Sequence, residues 1–194
     1  INIEDVYLPT IGTYQAENAS YAIAILKELA KRDNFLIDYD AIKASLAKCV
    51  IPGRCELISY DDKTVVLDGA HNVQKIEALT ASISKLNSQQ KYVWLLAHKK
   101  NIKEMTEVLL PMANKIIYTE FEKHLEYENQ YQKSELVIVP ENVGEADSNK
   151  TKIEYLSDSS AAIREAVKSA DKEQLIIVTG SIYLLSDVRR SLIK

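Results

Sequence analysis

The chain has 194 residues, 46 % of them hydrophobic and 27 % charged, enough for one sizeable core and ordinary for a globular protein. A formal net charge of −4 gives a nucleic-acid partner no electrostatic support, and no apolar run approaches the roughly 20 residues that a membrane helix needs. Two cysteines, Cys49 and Cys55, make neither a disulfide framework nor a zinc site, so a reducing, cytoplasmic setting is the expectation; opening on Ile1 with no signal pattern fits a processed or excised piece.

Residues 1–10 read as a short extended piece ending at Pro9, followed by Gly12. From about Ala16 to Lys31, Ala19, Ala22, Ile23, Leu26, Leu29 and Ala30 recur at helical spacing and predict a long helix. A second helix is predicted over 40–48, with Ala41, Ile42, Leu46 and Ala47 as its apolar side. The breaker "IPGR" at 51–54 is the best candidate boundary, which leaves 1–52 as a helical tail and 53–194 as a domain. After Pro52 the texture changes. Strands are predicted over 55–60, 63–68, 91–97, 115–119, 136–140 and 174–179, and helices over 72–87, 101–112, 159–170 and 182–193. Such alternation means βαβ units and a mostly parallel, Rossmann-like α/β sheet with flanking helices. "CELISY" and "KTVVLD", joined by "DDK", read instead as a hairpin, and polar stretches 121–134 and 141–152 as loops.

In open α/β sheets ligands bind outside the carboxyl ends of the strands. "VVLDGAHN" ends a strand in Asp68, Gly69, Ala70, His71 and Asn72. Asp68 can accept hydrogen bonds from ribose hydroxyls, and His71 with the first amides of the next helix can face a phosphate. Helix capping by Asp68 or Asn72 is the plainer reading, but capping needs only one of those residues, so the run as a whole favours a ligand. Arg54 after Pro-Gly can hold a phosphate bidentately, or be one more solvated arginine. Gln15 and Asn18, three apart at a helix start, can read an adenine edge or serve as ordinary capping residues. Thr179, Gly180 and Ser181 form another strand-to-helix junction, where Ser181 is an N-cap or a ligand contact. In "AHKKN", 97–101, Lys99 and Lys100 can meet an anion or belong to a solvated turn. His124 reads as solvated. No metal-ligand spacing, no G-x-x-x-x-G-K-[ST] and no G-x-G-x-x-G occurs.

Five stretches, in order, resemble the folylpolyglutamate synthase/dihydrofolate synthase branch of the Mur ligase superfamily: "GTYQAENASYAIA", "IPGRCELI", "VVLDGAHN", "LLAHKKNIKEM" and "LIIVTGSIYLLSDVR". Three departures stand out. Tyr14 replaces a histidine before Gln15, Lys99-Lys100-Asn101 replaces D-K-D, and Val73 stands where proline is common.

The resemblance implies a C-terminal Rossmann-like domain preceded by the end of a central ATPase domain. It implies a ligase that activates a carboxylate of folate or dihydropteroate with ATP as an acyl phosphate, which L-glutamate then attacks, releasing ADP. On that basis Asp68 would hold the ribose, His71 would lie near the nucleotide, and Arg54 would touch phosphate. Gln15 and Asn18 would approach adenine, while Ser181 and Lys100 would lie toward the amino acid. The P-loop and the ligands of Mg2+ are expected in a part of the enzyme upstream of these residues, so that this portion is expected to be inactive alone. Another Mur-type amide ligase acting on cell-wall precursors, and a non-catalytic Rossmann-like module that binds nucleotide or a partner, are the alternatives.

Overall fold

The computed structural model describes residues 4–86, 91–97, 102–121 and 151–193. Two helices come first, α1 (Tyr14–Asp33) and α2 (Tyr39–Leu46). They are followed by β1 (Glu56–Tyr60), β2 (Lys63–Leu67), α3 (Val73–Ser84), β3 (Tyr92–Ala97), α4 (Ile102–Leu109), β4 (Ala113–Thr119), β5 (Lys152–Leu156), α5 (Ser159–Ser169), β6 (Ile176–Thr179) and α6 (Ile182–Leu192). Among the described residues the strands form one six-stranded sheet in the order β1-β2-β6-β3-β4-β5. Only the β1–β2 hairpin is antiparallel, turning through Asp61 and Asp62 in the left-handed region.

The topology follows from handedness. The β2–α3–β3 and β3–α4–β4 crossovers advance along the sheet in one direction, while β5–α5–β6 runs back. Right-handed crossovers therefore put α3 and α4 on one face and α5 on the other, where α6 joins it. The strand side chains alternate accordingly. Val65, Leu67, Val93, Leu95, Ile176 and Val178 pack under α5 and α6, and Val66, Trp94, Leu96, Ile116 and Ile177 pack under α3 and α4. With both faces covered, a strand such as "YVWLLA" is apolar throughout and buried along its whole length.

The predicted elements differ most from these in two places. The helix expected over 101–112 gives way at Leu110–Met112 to a 3-10 turn, because Pro111 cannot continue the α-helical ladder. Lys152–Leu156 is the edge strand β5, where a loop was expected to reach residue 152 and nothing was assigned beyond. Its charges hid it: Glu154 pairs with Lys115 of β4 at 2.7 Å, and Lys115 also reaches Glu165 of α5 at 2.7 Å. The two carboxylates hold the Lys115 ammonium above its ordinary range although burial, the largest effect, acts to lower it. The strand predicted over 136–140 lies outside the described residues.

The carboxyl edge of the sheet is knitted by backbone. Ala70 O accepts the Gly180 N–H at 2.7 Å and the Thr179 hydroxyl at 3.1 Å, joining the ends of β2 and β6. Gly180 has φ +98°, and a Cβ there would lie 2.9 Å from the Ala97 nitrogen at the end of β3. Gly180→Ala therefore strains backbone and forces two strand ends apart. It is expected to lower unfolding free energy by about 2 kcal/mol or more in urea denaturation, and a change within experimental scatter contradicts this packing.

Candidate functional site

The helices on the two faces start from neighbouring strands. Here β2 leads to α3 on one face, and the adjacent β6 leads to α6 on the other. That divergence is a topological switch point, where the crevice outside the strand ends receives ligands in open α/β sheets. Residues 68–72 and 179–181 line it.

Asp68 leaves the end of β2 and turns inward, with only 3 % of its surface exposed. Its Oδ2 accepts the Cys55 N–H at 2.9 Å and the Tyr14 hydroxyl, and its Oδ1 accepts the Ala70 N–H at 2.9 Å. Three chain segments thus converge on one carboxylate: the start of α1, the residues before β1 and the turn after β2. The Tyr14 hydroxyl also lies 3.5 Å from Cys55 Sγ. Burial, then the hydrogen bond to Asp68, pushes the Tyr14 phenol far above its usual range. Burial, then the charge of Asp68, pushes the Cys55 thiol up to about 12.

His71 and Asn72 are exposed beyond this anchor. Asn72 caps α3, its side chain accepting the Lys75 N–H at 2.9 Å. His71 Nδ1 lies 2.9 Å from Gly69 O, so the proton on that nitrogen donates to the carbonyl, and Nε2 accepts from Lys75 Nζ at 3.2 Å. Lys75 lies in the first turn of α3, next to the positive end of the helix dipole, and this concentration of positive potential favours an anion. The His71–Lys75 pair went unnoticed in the sequence, although the i,i+4 spacing across a helix start carried it.

Arg54 is exposed and lies over Gly69, its Nη1 3.3 Å from Gly53 O. A side chain at Gly69 would run into this guanidinium, and the Gly69 N–H donates to Gly53 O at 2.8 Å. The P-G-R turn and the D-G-A-H-N turn therefore pack directly on each other. Glu56 fixes the turn from its other side, accepting the Gly53 N–H at 2.9 Å and the Arg189 Nε–H of α6 at 3.0 Å.

Gln15 and Asn18 lie in the first turns of α1, and their carboxamides bond to each other at 2.6 Å. Neither caps the helix: Thr13 holds the N-cap position, and its N–H donates to Ser82 Oγ of α3 at 3.1 Å. Ser181 is buried and caps α6, accepting the Tyr183 N–H at 3.2 Å. Lys100, with His98, Lys99 and Asn101, lies outside the described residues, as does His124. Among the described residues no three His, Cys, Asp or Glu side chains group to hold a metal ion, and no helix is long and apolar enough to cross a membrane.

A separate concavity of about 390 Å³ opens beyond β4 and β5, lined by Glu120, Phe121, Asp158, Asp187 and Arg190 among others. Three acidic residues and one arginine line it, and that guanidinium is paired with Asp187. Its charge repels a polyphosphate, whereas Arg54 and Lys75 attract one.

Residues 54–191 match the family described as dihydrofolate synthetase, C-terminal domain. The chain belongs to this family. It is 31 % identical over 98 % of its length to the folylpolyglutamate synthase of Lacticaseibacillus casei, and 28 % identical over 97 % to the dihydrofolate synthase/folylpolyglutamate synthase of Bacillus subtilis. It spans 41 % of each of those proteins. A solved folylpolyglutamate synthase–AMPPCP–folate complex superimposes with a TM-score of 0.70 at 27 % identity, covering 98 % of this chain and 39 % of that one. In this chain Asp68, expected beside a ribose, has its carboxylate occupied by protein donors, while Arg54 and His71 lie on the exposed side of the same turn.

The surroundings of the two thiols differ sharply. Cys49 is exposed and Cys55 is buried against Asp68. With its pKa near 12, the fraction of Cys55 present as thiolate at pH 8 is on the order of one in ten thousand. Iodoacetamide at pH 8 is expected to label Cys49 and spare Cys55 until the protein is unfolded, as read by peptide mass spectrometry; comparable rates on the folded protein contradict the burial of the Asp68 cluster.

Proposed function

We propose that this chain is the C-terminal part of an ATP-dependent ligase that adds L-glutamate to folate or dihydropteroate through an acyl phosphate. In this reading the domain contributes a nucleotide face made by Arg54, His71 and Lys75 around the start of α3. The observation that carries it is the packing of the P-G-R turn onto the D-G-A-H-N turn, which sets a guanidinium and an imidazole on the same rim. Arg54 and Lys75 neutralise phosphate charge with His71 beside them, and the preorganised α3 amides add to that field. Ser181 and Lys100 are assigned to the amino-acid side, and Gln15 and Asn18 to the adenine. Mg2+ would neutralise phosphate charge when bound; its ligands are assigned to the part of the enzyme that precedes this chain.

The same reading treats 1–52 as the end of a preceding ATPase domain and 53–194 as the ligase domain. Supporting it, α1 buries only Ala30 and α2 buries nothing, while Tyr21, Ile25, Phe35, Leu36, Val50 and Ile51 stay exposed. A helical pair this bare has its apolar partner elsewhere.

The test is ADP release by the full-length protein with ATP, L-glutamate and a folate or dihydropteroate. Turnover requiring all three, with kcat/KM for ATP falling roughly tenfold or more in Arg54→Ala and His71→Ala, is expected. Turnover with a muramoyl-peptide nucleotide in place of the folate selects the cell-wall alternative. Nucleotide binding without turnover on any acid selects the non-catalytic one.

A further inference from the structure

Asp68 lies where a strand end meets the switch-point crevice, and it offers a carboxylate, the group that accepts from a sugar hydroxyl. Yet that carboxylate already has an O–H donor. The Tyr14 hydroxyl donates to Oδ2, the Cys55 N–H shares the same oxygen, and the Ala70 N–H holds Oδ1. Of the three, only Tyr14 arrives from a side chain, and only Tyr14 belongs to α1. The two amides are fixed by the turns that carry them. A carboxylate has about four lone-pair positions, and at 3 % exposure no outside group reaches the fourth without moving one of these donors.

We propose that the Tyr14 hydroxyl is an internal occupant of a ligand-hydroxyl position on Asp68, so that a nucleotide's ribose engages this carboxylate only by displacing Tyr14 and loosening the start of α1. The chemistry of the exchange is balanced: one O–H donor leaves the carboxylate and another takes its place, with no proton transferred. Ligand binding is therefore set against a contact that ties α1 to the sheet. The affinity observed is the intrinsic affinity reduced by the fraction of molecules in which Tyr14 has let go. The ring itself packs against the core under α3 and α4, so release of the hydroxyl disturbs that packing too.

The proposal rests on the nucleotide reading above, and the experiment separates the two. ADP and its 2′,3′-dideoxy analogue are titrated calorimetrically into the full-length protein, wild type and Tyr14→Phe. In wild type the two ligands are expected to bind within about threefold of each other, since one hydroxyl merely replaces another. In Tyr14→Phe, ADP is expected to bind roughly tenfold tighter, because an ionised acceptor gains a partner that it lacks, while the dideoxy analogue is unchanged. The melting temperature of the variant falls at the same time, so stability and ADP affinity move in opposite directions; a merely structural tyrosine moves both ligands alike. Unchanged or weaker ADP binding by a folded Tyr14→Phe overturns the proposal. If that variant does not fold, the wild-type pair decides: a tenfold or greater loss for the dideoxy analogue shows Asp68 open to the ribose and overturns it. Absence of ADP binding by wild-type protein overturns the nucleotide reading, and the proposal with it.

Discussion

A carboxylate withdrawn from water must find its hydrogen bonds inside the protein or lose its charge. Asp68 finds three, and their origins explain much of the molecule. One comes from the residue just before β1, one from the turn after β2, and one from a tyrosine at the start of α1. The order of these segments in sequence is far from their proximity in space, so the carboxylate acts as a common anchor. Around it the P-G-R turn lies over Gly69, and Gly180 closes onto Ala70 from the neighbouring strand end. Removing one partner leaves a buried carboxylate with fewer donors, which costs more than the net contribution of a typical hydrogen bond.

That anchoring has a functional consequence. The acid of D-G-A-H-N is directed inward, and this orientation leaves His71, Arg54 and Lys75 outward on the rim. The turn thus separates two jobs: a negative group under the surface holds the backbone, while the cations Arg54 and Lys75, with the His71 imidazole beside them, face solvent. The acidic concavity beyond β4 and β5 carries the opposite charge and sits at other strand ends. An anionic ligand choosing between them has its answer from charge alone.

The α/β texture was readable from the sequence because both faces of the sheet are covered. Strands such as 92–97 and 176–179 are then unbroken apolar runs, and helices α3, α5 and α6 show their own periodicity and caps. The edge strand β5 was not readable. Its Lys152 and Glu154 look like loop residues until Lys115 of the neighbouring strand is seen to receive Glu154. At the site, Asp68–Asn72 stood out by composition, and both of the uses considered for that stretch come from local chemistry. The inward turn of Asp68 did not show, because its partners Tyr14 and Cys55 lie 54 and 13 residues away. Tyr14 was marked only as a departure from a histidine, and Cys55 only as one of two cysteines. Long-range hydrogen bonds leave no periodic trace in a sequence.

The most direct test of the anchoring role of Asp68 is amide hydrogen exchange on wild-type protein and Asp68→Ala, followed by mass spectrometry. Segments that open together form one cooperative unit. Protection is predicted to fall together at 12–16, 51–56 and 68–71 in the variant, with β3, β4 and β5 unchanged. Loss confined to 68–71, with the start of α1 and the P-G-R turn still protected, would contradict the claim that this carboxylate holds the three segments together.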